Sequence, residues 1–253
     1  MSEEVMNDQL VLVVGESATG KSASLRNMRN QEEWMYLGTE AGKRLPFRNK
    51  FQRHNITDPW QVHEAFDYVN HGIPDQQIPA PADVRGIILD SLTFLMDMFE
   101  SQYVLPSTNT MAAWGAYGQF FRVLMQEKIA TFGKPVVVTA HVKDELNEKS
   151  MEMKTSVPIK GALKGNGVEA YFSTVVAAKK VDLKTLESFG SSLLVITDEE
   201  RELGYKHVFQ TKPTKNTTGE RIRSPMGMFD RSMTYIDNDV QKLLDHLHEY
   251  YEG

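Results

Sequence analysis

Gly15-Glu16-Ser17-Ala18-Thr19-Gly20-Lys21-Ser22 places two glycines five residues apart, with a lysine and a hydroxyl directly behind the second. The apolar run Leu10–Val14 precedes it, and a helix-like stretch follows. This is the pattern G-x-x-x-x-G-K-[ST] between a strand and a helix. Glycines let the backbone curl until successive N–H groups converge on phosphate, and a helix start adds its positive end. Gly15, Glu16, Ser17, Ala18, Thr19, Gly20, Lys21, Ser22 and Ala23 are therefore expected to contact a nucleotide. Lys21 would reach the β- and γ-phosphates, and Ser22 would put its hydroxyl on Mg²⁺.

Two acids could complete such a site. Asp90 ends the buried run Arg85–Asp90 and fits the carboxylate that holds the metal shell. It could equally cap the following helix, or do both. Its neighbour is Ser91 rather than a second acid, so a water-activating base must come from elsewhere. Glu40 closes the second apolar run, Trp34–Gly38. A parallel sheet gathers strand ends at one rim, where a carboxylate can polarise water opposite a γ-phosphate. The alternative for Glu40 is an exposed loop position.

The elements that must position these groups alternate in kind. Lys21 to about Asn30 reads as the phosphate-loop helix. Asp58-Pro59 reads as a helix start, ahead of Val62, Ala65, Phe66 and Val69. Leu92, Leu95, Met96 and Phe99 form a helical stripe. Gln102 to Ala112 breaks that pattern, and a longer helix is expected from about Ala113 to Phe132. Val136–Ala140 is a strand capped by His141. Residues 142–157 are charged without a period and read as a loop. A strand is centred on Thr174-Val175-Val176. Leu193–Ile196 and Tyr205–Gln210 read as an antiparallel edge pair, and 237–253 as a closing helix. Alternating strands and helices predict an α/β fold, a mostly parallel sheet covered on both faces, in one domain spanning 1–253 with 1–9 as a short tail.

The composition narrows the function. Across 253 residues the net charge is −6, with 25% charged and 41% hydrophobic residues. That excludes a general basic nucleic-acid coat, so any such contact is local. With no cysteine, disulfides and thiolate metal sites are excluded. No apolar run reaches membrane-spanning length, and the start lacks a basic leader. A cytoplasmic protein is expected.

Gly-Glu-Ser-Ala-Thr-Gly-Lys-Ser at 15–22, Thr-Glu at 39–40, Leu-Asp-Ser at 89–91 and Thr-Ala-His at 139–141 occur in the order of a RecA-type recombinase core. The chain resembles that family over roughly residues 10–230. It looks closest to the short phage-encoded RecA-like proteins of single-strand annealing and recombination, the RecA-core branch of the Sak proteins. Softer matches to that branch are Thr39–Gly42, Lys160–Gly165 and Gln210–Lys215.

The resemblance implies a RecA-like phosphate-loop fold, ATP and Mg²⁺ as ligands, and Glu40 as catalytic base. His141 stands where the family carries a γ-phosphate sensor, usually Gln. Lys212 or Lys215 would reach the γ-phosphate of a neighbouring copy. Loops at 102–112 and about 142–168 would touch single-stranded DNA. Lysines 143, 149, 154, 160 and 164 supply cations there, and Gly161, Gly165 and Gly167 allow backbone approach. A second basic stretch runs from Lys206 to Arg231 and includes Arg221 and Arg223. It could be a nucleic-acid face, a trans-acting element or a charge-balancing hairpin. The DNA candidates are thus Lys143, Lys154, Lys160, Lys164, Arg221 and Arg223.

The leading expectation is a DNA-dependent ATPase of recombination, working as a homo-oligomer (filament or ring) on single-stranded DNA, with a single-strand-binding protein as optional helper. A RecA-fold helicase or translocase subunit needs the same parts, and so does a nucleotide-gated regulator that captures another protein.

Overall fold

The computed structural model describes residues 7–148, 151–164 and 167–253. Lys149 and Gly165, named above as parts of a DNA-contacting loop, lie outside them.

The first strand, β1 (Leu10–Gly15), is buried along its whole length. β2 (Trp34–Gly38) and β3 (Gln52–Asn55) follow, then α1 (Trp60–His71) and β4 (Gly86–Asp90). Asp58 does open α1, its carboxylate accepting the Trp60 N–H at 2.9 Å. Two helices come next, α2 (Leu92–Phe99) and α3 (Thr110–Val123). Each runs on as a π-helical turn, Glu100–Val104 and Leu124–Ile129. The expected break after Gln102 therefore narrows to residues 105–109.

β5 (Val136–His141) leads into β6 (Lys143–Asn147) and β7 (Glu152–Ser156), then β8 (Thr174–Asp182). α4 (Leu183–Leu186), α5 (Asp198–Leu203), β9 (Tyr205–Gln210), β10 (Tyr235–Asp237) and α6 (Val240–Glu252) complete the chain.

Eight strands form one sheet in the order β10-β9-β8-β1-β5-β4-β2-β3. From β8 to β3 every pairing is parallel. β9 and β10 are antiparallel. β5 thus lies between the phosphate-loop strand and the strand ending in Asp90, and the parallel strands finish at a common rim.

Side-chain alternation divides the interior in two. Leu10, Leu12 and Val14 join α1, α2 and α3 on one face. Val11 and Val13 join Leu25, Met28 and the α6 residues Val240, Leu243, Leu244 and Leu247 on the other. Both faces are covered, as a largely parallel sheet requires.

Three sequence expectations need correction. Within 142–157, Lys143–Asn147 and Glu152–Ser156 pair as the antiparallel strands of a hairpin, with Lys143 opposite Ser156 and Leu146 opposite Met153. Its exposed polar residues hide the alternation that would mark strands. Leu193–Ile196 is not a strand. Leu194 packs with Leu186, Val208 and Tyr235, but among the described residues only one backbone bond reaches β10, from Asp237 N–H to Leu193 O at 2.8 Å. The next donor, Val195 N–H, goes to the Asp237 carboxylate instead. The edge pair is instead β9 with β10.

The third correction concerns the phosphate-loop helix, which is only a 3₁₀ turn, Ser22–Leu25. The start of the C-terminal helix braces the segment that follows this turn. Asp239 accepts the Asn27 amide at 2.7 Å, and the Gln241 side chain accepts the Arg29 N–H at 2.9 Å. Tertiary contacts outweigh local propensity here.

Candidate active site

The loop after β1 is shaped by its glycines. A Cβ on Gly15 would stand 2.6 Å from both Ala178 O and Thr19 Oγ1. Gly20 has φ 97°, and a Cβ there would lie 2.4 Å from Asn238 Nδ2. Only glycine fits either place. Thr19 Oγ1 ties the curl to Glu16 O at 2.9 Å. Inside it, Lys21 is buried and its Nζ donates to Gly15 O at 3.0 Å and Glu16 O at 2.7 Å. Burial draws its pKa down to about 8, against the opposing pull of Asp90 and Glu40.

Asp90 is 3% exposed at the end of β4. Tyr36 Oη donates to its Oδ2 at 2.8 Å and Thr139 Oγ1 to its Oδ1 at 2.5 Å. Two neighbouring strands thereby orient the carboxylate. Burial and Asp90 push the Tyr36 phenol far up, so it remains a neutral donor. The peptide bond Asp90–Ser91 is cis. Thr39 stitches β2 to this point: its Oγ1 donates to Ser91 O at 2.7 Å and accepts the Ser91 N–H at 2.8 Å. Glu40 is the next residue, and its Oε2 accepts Lys43 Nζ at 2.7 Å. His141 closes β5, its N–H bonded to Thr93 Oγ1 at 2.8 Å. Burial, then the Lys21 charge, lower its pKa.

Ser17, Ala18, Gly20, Lys21, Ser22, Ala23, Glu40, Asp90 and His141 all line one cleft of about 410 Å³. Gly15, Glu16 and Thr19 turn toward an adjoining cavity of about 300 Å³, whose far wall includes Asp144 and Thr155 of the hairpin. Lys212 and Lys215 line neither. Lys212 Nζ donates to Phe229 O at 2.8 Å, and Lys215 is exposed.

The other expected cations are scattered. Lys143 and Lys154 are exposed on the hairpin and Lys164 on a 3₁₀ turn. Lys160 pairs with Glu100. Arg221 pairs with the buried Glu169 at 3.1 Å, and the Arg223 backbone bridges to Val175 of β8.

The cleft also holds residues that the sequence reading missed. Tyr36, Arg26, Lys43, Arg44 and Arg53 line it, together with His207 and Asn238. His207 Nδ1 lies 3.1 Å from Thr19 O, and Asn238 Nδ2 donates to Gly20 O at 3.0 Å. One signal was available. Lys43, Arg44, Arg48, Lys50 and Arg53 fall in eleven residues that contain no acid. No local pattern announces His207 or Asn238, whose partners lie 188 and 218 residues away.

The donor set suits a nucleotide with Mg²⁺. Mg²⁺ is typically held by one or two carboxylates together with substrate phosphates. Asp90 and the Ser22 hydroxyl offer oxygen ligands beside a basic cleft, and the curled loop offers backbone donors.

The fold and the cleft define an ATPase domain of the phosphate-loop class. A family model described as "AAA domain" matches residues 7–221, and the chain belongs to that family. Among solved structures, the crystal structure of the RadB recombinase matches at 13% sequence identity, covering 70% of this chain and 77% of that chain, with a TM-score of 0.40. No curated protein matches the chain. No helix among the described residues is long and apolar enough to cross a membrane.

Proposed function

We propose that this ATPase binds single-stranded DNA under the control of Mg·ATP and acts in recombination or single-strand annealing as a homo-oligomer. The observation that carries this reading is the position of the hairpin. β5 ends on His141 in the cleft, and Val142 donates its N–H to Gly15 O at 3.3 Å. The exposed Lys143 follows at once, and the exposed Lys154 stands on the returning strand. A rearrangement of the phosphate loop would therefore be felt at the base of the hairpin that carries these lysines, one residue from His141.

In this reading Lys21 leaves its loop carbonyls for the β- and γ-phosphates. Ser22 and Asp90 would hold Mg²⁺, which supplies charge neutralisation between the phosphates when bound. Tyr36 and Thr139 keep the Asp90 carboxylate oriented. Glu40 takes a proton from the attacking water, and His141 meets the γ-phosphate. Lys212 and Lys215, outside the cleft, are left to serve a neighbouring copy.

Lysines on the hairpin contact phosphates without reading sequence, so binding is salt-sensitive. The test is turnover with and without single-stranded DNA, together with DNA affinity in ADP and in a non-hydrolysable ATP analogue. Stimulated turnover and nucleotide-dependent affinity are expected. Absence of DNA binding in every nucleotide state would overturn the reading and leave an ATPase that controls some other partner.

A further inference from the structure

The turn Glu40-Ala41-Gly42-Lys43 brings a carboxylate and a cation to the same wall of the cleft. Lys43 donates its N–H to Glu40 O at 2.8 Å. Ala41 and Gly42 lie at φ 37° and 78°, which reverses the chain and returns the lysine over the glutamate. Lys43 Nζ is 2.7 Å from Glu40 Oε2, and the lysine side chain is 72% exposed against 16% for the glutamate. An ion pair with one partner so exposed adds little to fold stability, so holding the fold together does not account for it. The Lys43 charge reaches across the cleft, disfavouring the protonated forms of both Lys21 and His141.

Charge balance strengthens the case. Among the described residues, the lining of this cleft sets Lys21, Arg26, Lys43, Arg44 and Arg53 against two carboxylates, Glu40 and Asp90. Such a surplus favours the ligand with the most phosphate charge. A long flexible ammonium, tethered at its base and largely exposed along its stem, can move from one anion to another.

Resting on the hydrolytic reading above, we propose that Lys43 is a further catalytic residue. It meets the γ-phosphoryl oxygens from within the same chain and waits on Glu40 until a triphosphate enters. Its departure frees Glu40 Oε2 to accept a proton from water. The water oxygen then bonds to the γ-phosphorus while the bond from that phosphorus to the β–γ bridging oxygen breaks. ADP leaves with the electron pair of that bond, and the water proton resides on Glu40 before passing to phosphate or solvent. Lys43 acts from within the chain, beside any cation that Lys212 or Lys215 brings from a neighbouring copy.

The experiment compares equilibrium binding of ADP and of a non-hydrolysable ATP analogue to the wild type, Lys43→Ala and Lys43→Arg, with kcat and KM for ATP alongside. Lys43→Ala should weaken the analogue by roughly ten- to a hundredfold, the worth of a charge-assisted bond, and leave ADP within a factor of two. Its kcat should fall by about 10²–10³-fold, as when one donor to the transition state is removed. Lys43→Arg should keep most of both properties.

An unchanged ratio of the two affinities, whether through no loss or through equal loss, overturns the assignment, as does normal turnover of Lys43→Ala. Lys21→Ala serves as the control for the site itself. If that variant binds both nucleotides normally, the nucleotide site is wrongly placed, and the role of Lys43 falls with it.

Discussion

In the proposed reading, Lys21 is the group through which the cleft takes hold of phosphate. Its ammonium is buried and already satisfied by two loop carbonyls, so a phosphate must outbid them, and an anion does. Lys21→Ala is expected to cost about 1.5–3 kcal/mol of nucleotide affinity for each charge-assisted bond lost. Calorimetric titration with ADP checks this, and undiminished affinity would remove the lysine from the phosphate site.

The residues best read from sequence are those whose spacing is dictated by backbone chemistry. Gly15 and Gly20 could be recognised because no other residue fits the curl. Tyr36, Thr139 and Asn238 could not, because each earns its place through contacts 54, 49 and 218 residues away. Glu40 and Asp90 fall between these cases: strand ends predicted the rim, and the folded chain brings both to it.

Among the elements, the β6–β7 hairpin departs furthest from its local sequence. Lys-Asp-Glu-Leu-Asn and Glu-Met-Lys-Thr-Ser offer only Leu146 and Met153 as an apolar pair, and both are exposed. With no buried face the period-2 signal is absent. The hairpin carries a clear expectation, since Lys143 and Lys154 are both exposed on its surface. Replacing both by alanine should make the slope of log affinity against log salt shallower by roughly 1.4 if each meets one phosphate of a single strand. Titration of DNA at several salt concentrations measures this, and an unaltered slope would move the contact elsewhere.

Where α1 packs on α3, His63 is 6% exposed and stacks on Phe120 at 4.3 Å between ring centres. Burial, then Lys128, draw its pKa to about 4 from 6.5. Between those values the unfolded chain binds a proton that the folded chain refuses. Stability must therefore fall as pH drops through this window, by at most about 1.4 kcal/mol per pH unit. His63→Phe should flatten that decline in thermal unfolding between pH 7 and pH 5, whereas parallel slopes would absolve the histidine.

The whole molecule works as a two-faced sheet with the phosphate loop on its axis. That architecture was legible, because β-branched runs alternating with helical stripes admit few other arrangements. The role of the C-terminal helix was less so. α6 covers one face through Val240, Leu243, Leu244 and Leu247, and its first turn holds Asn27 and Arg29 in place of a longer helix. Leu244→Ala should cost about 2–5 kcal/mol on unfolding and weaken ADP binding as well, because the phosphate loop leans on this helix. Urea melts with and without ADP test the coupling. Destabilisation with unaltered ADP affinity would uncouple them.

The decisive measurement is a single-turnover experiment on Glu40→Gln, paired with ATP binding by the same protein. The isosteric amide keeps the shape of the cleft but cannot take the water proton. ATP should bind at close to normal affinity while hydrolysis slows by about 10²-fold or more. Hydrolysis at the normal rate would contradict the catalytic centre described here, since the carboxylate beside the phosphate loop would then do no chemistry.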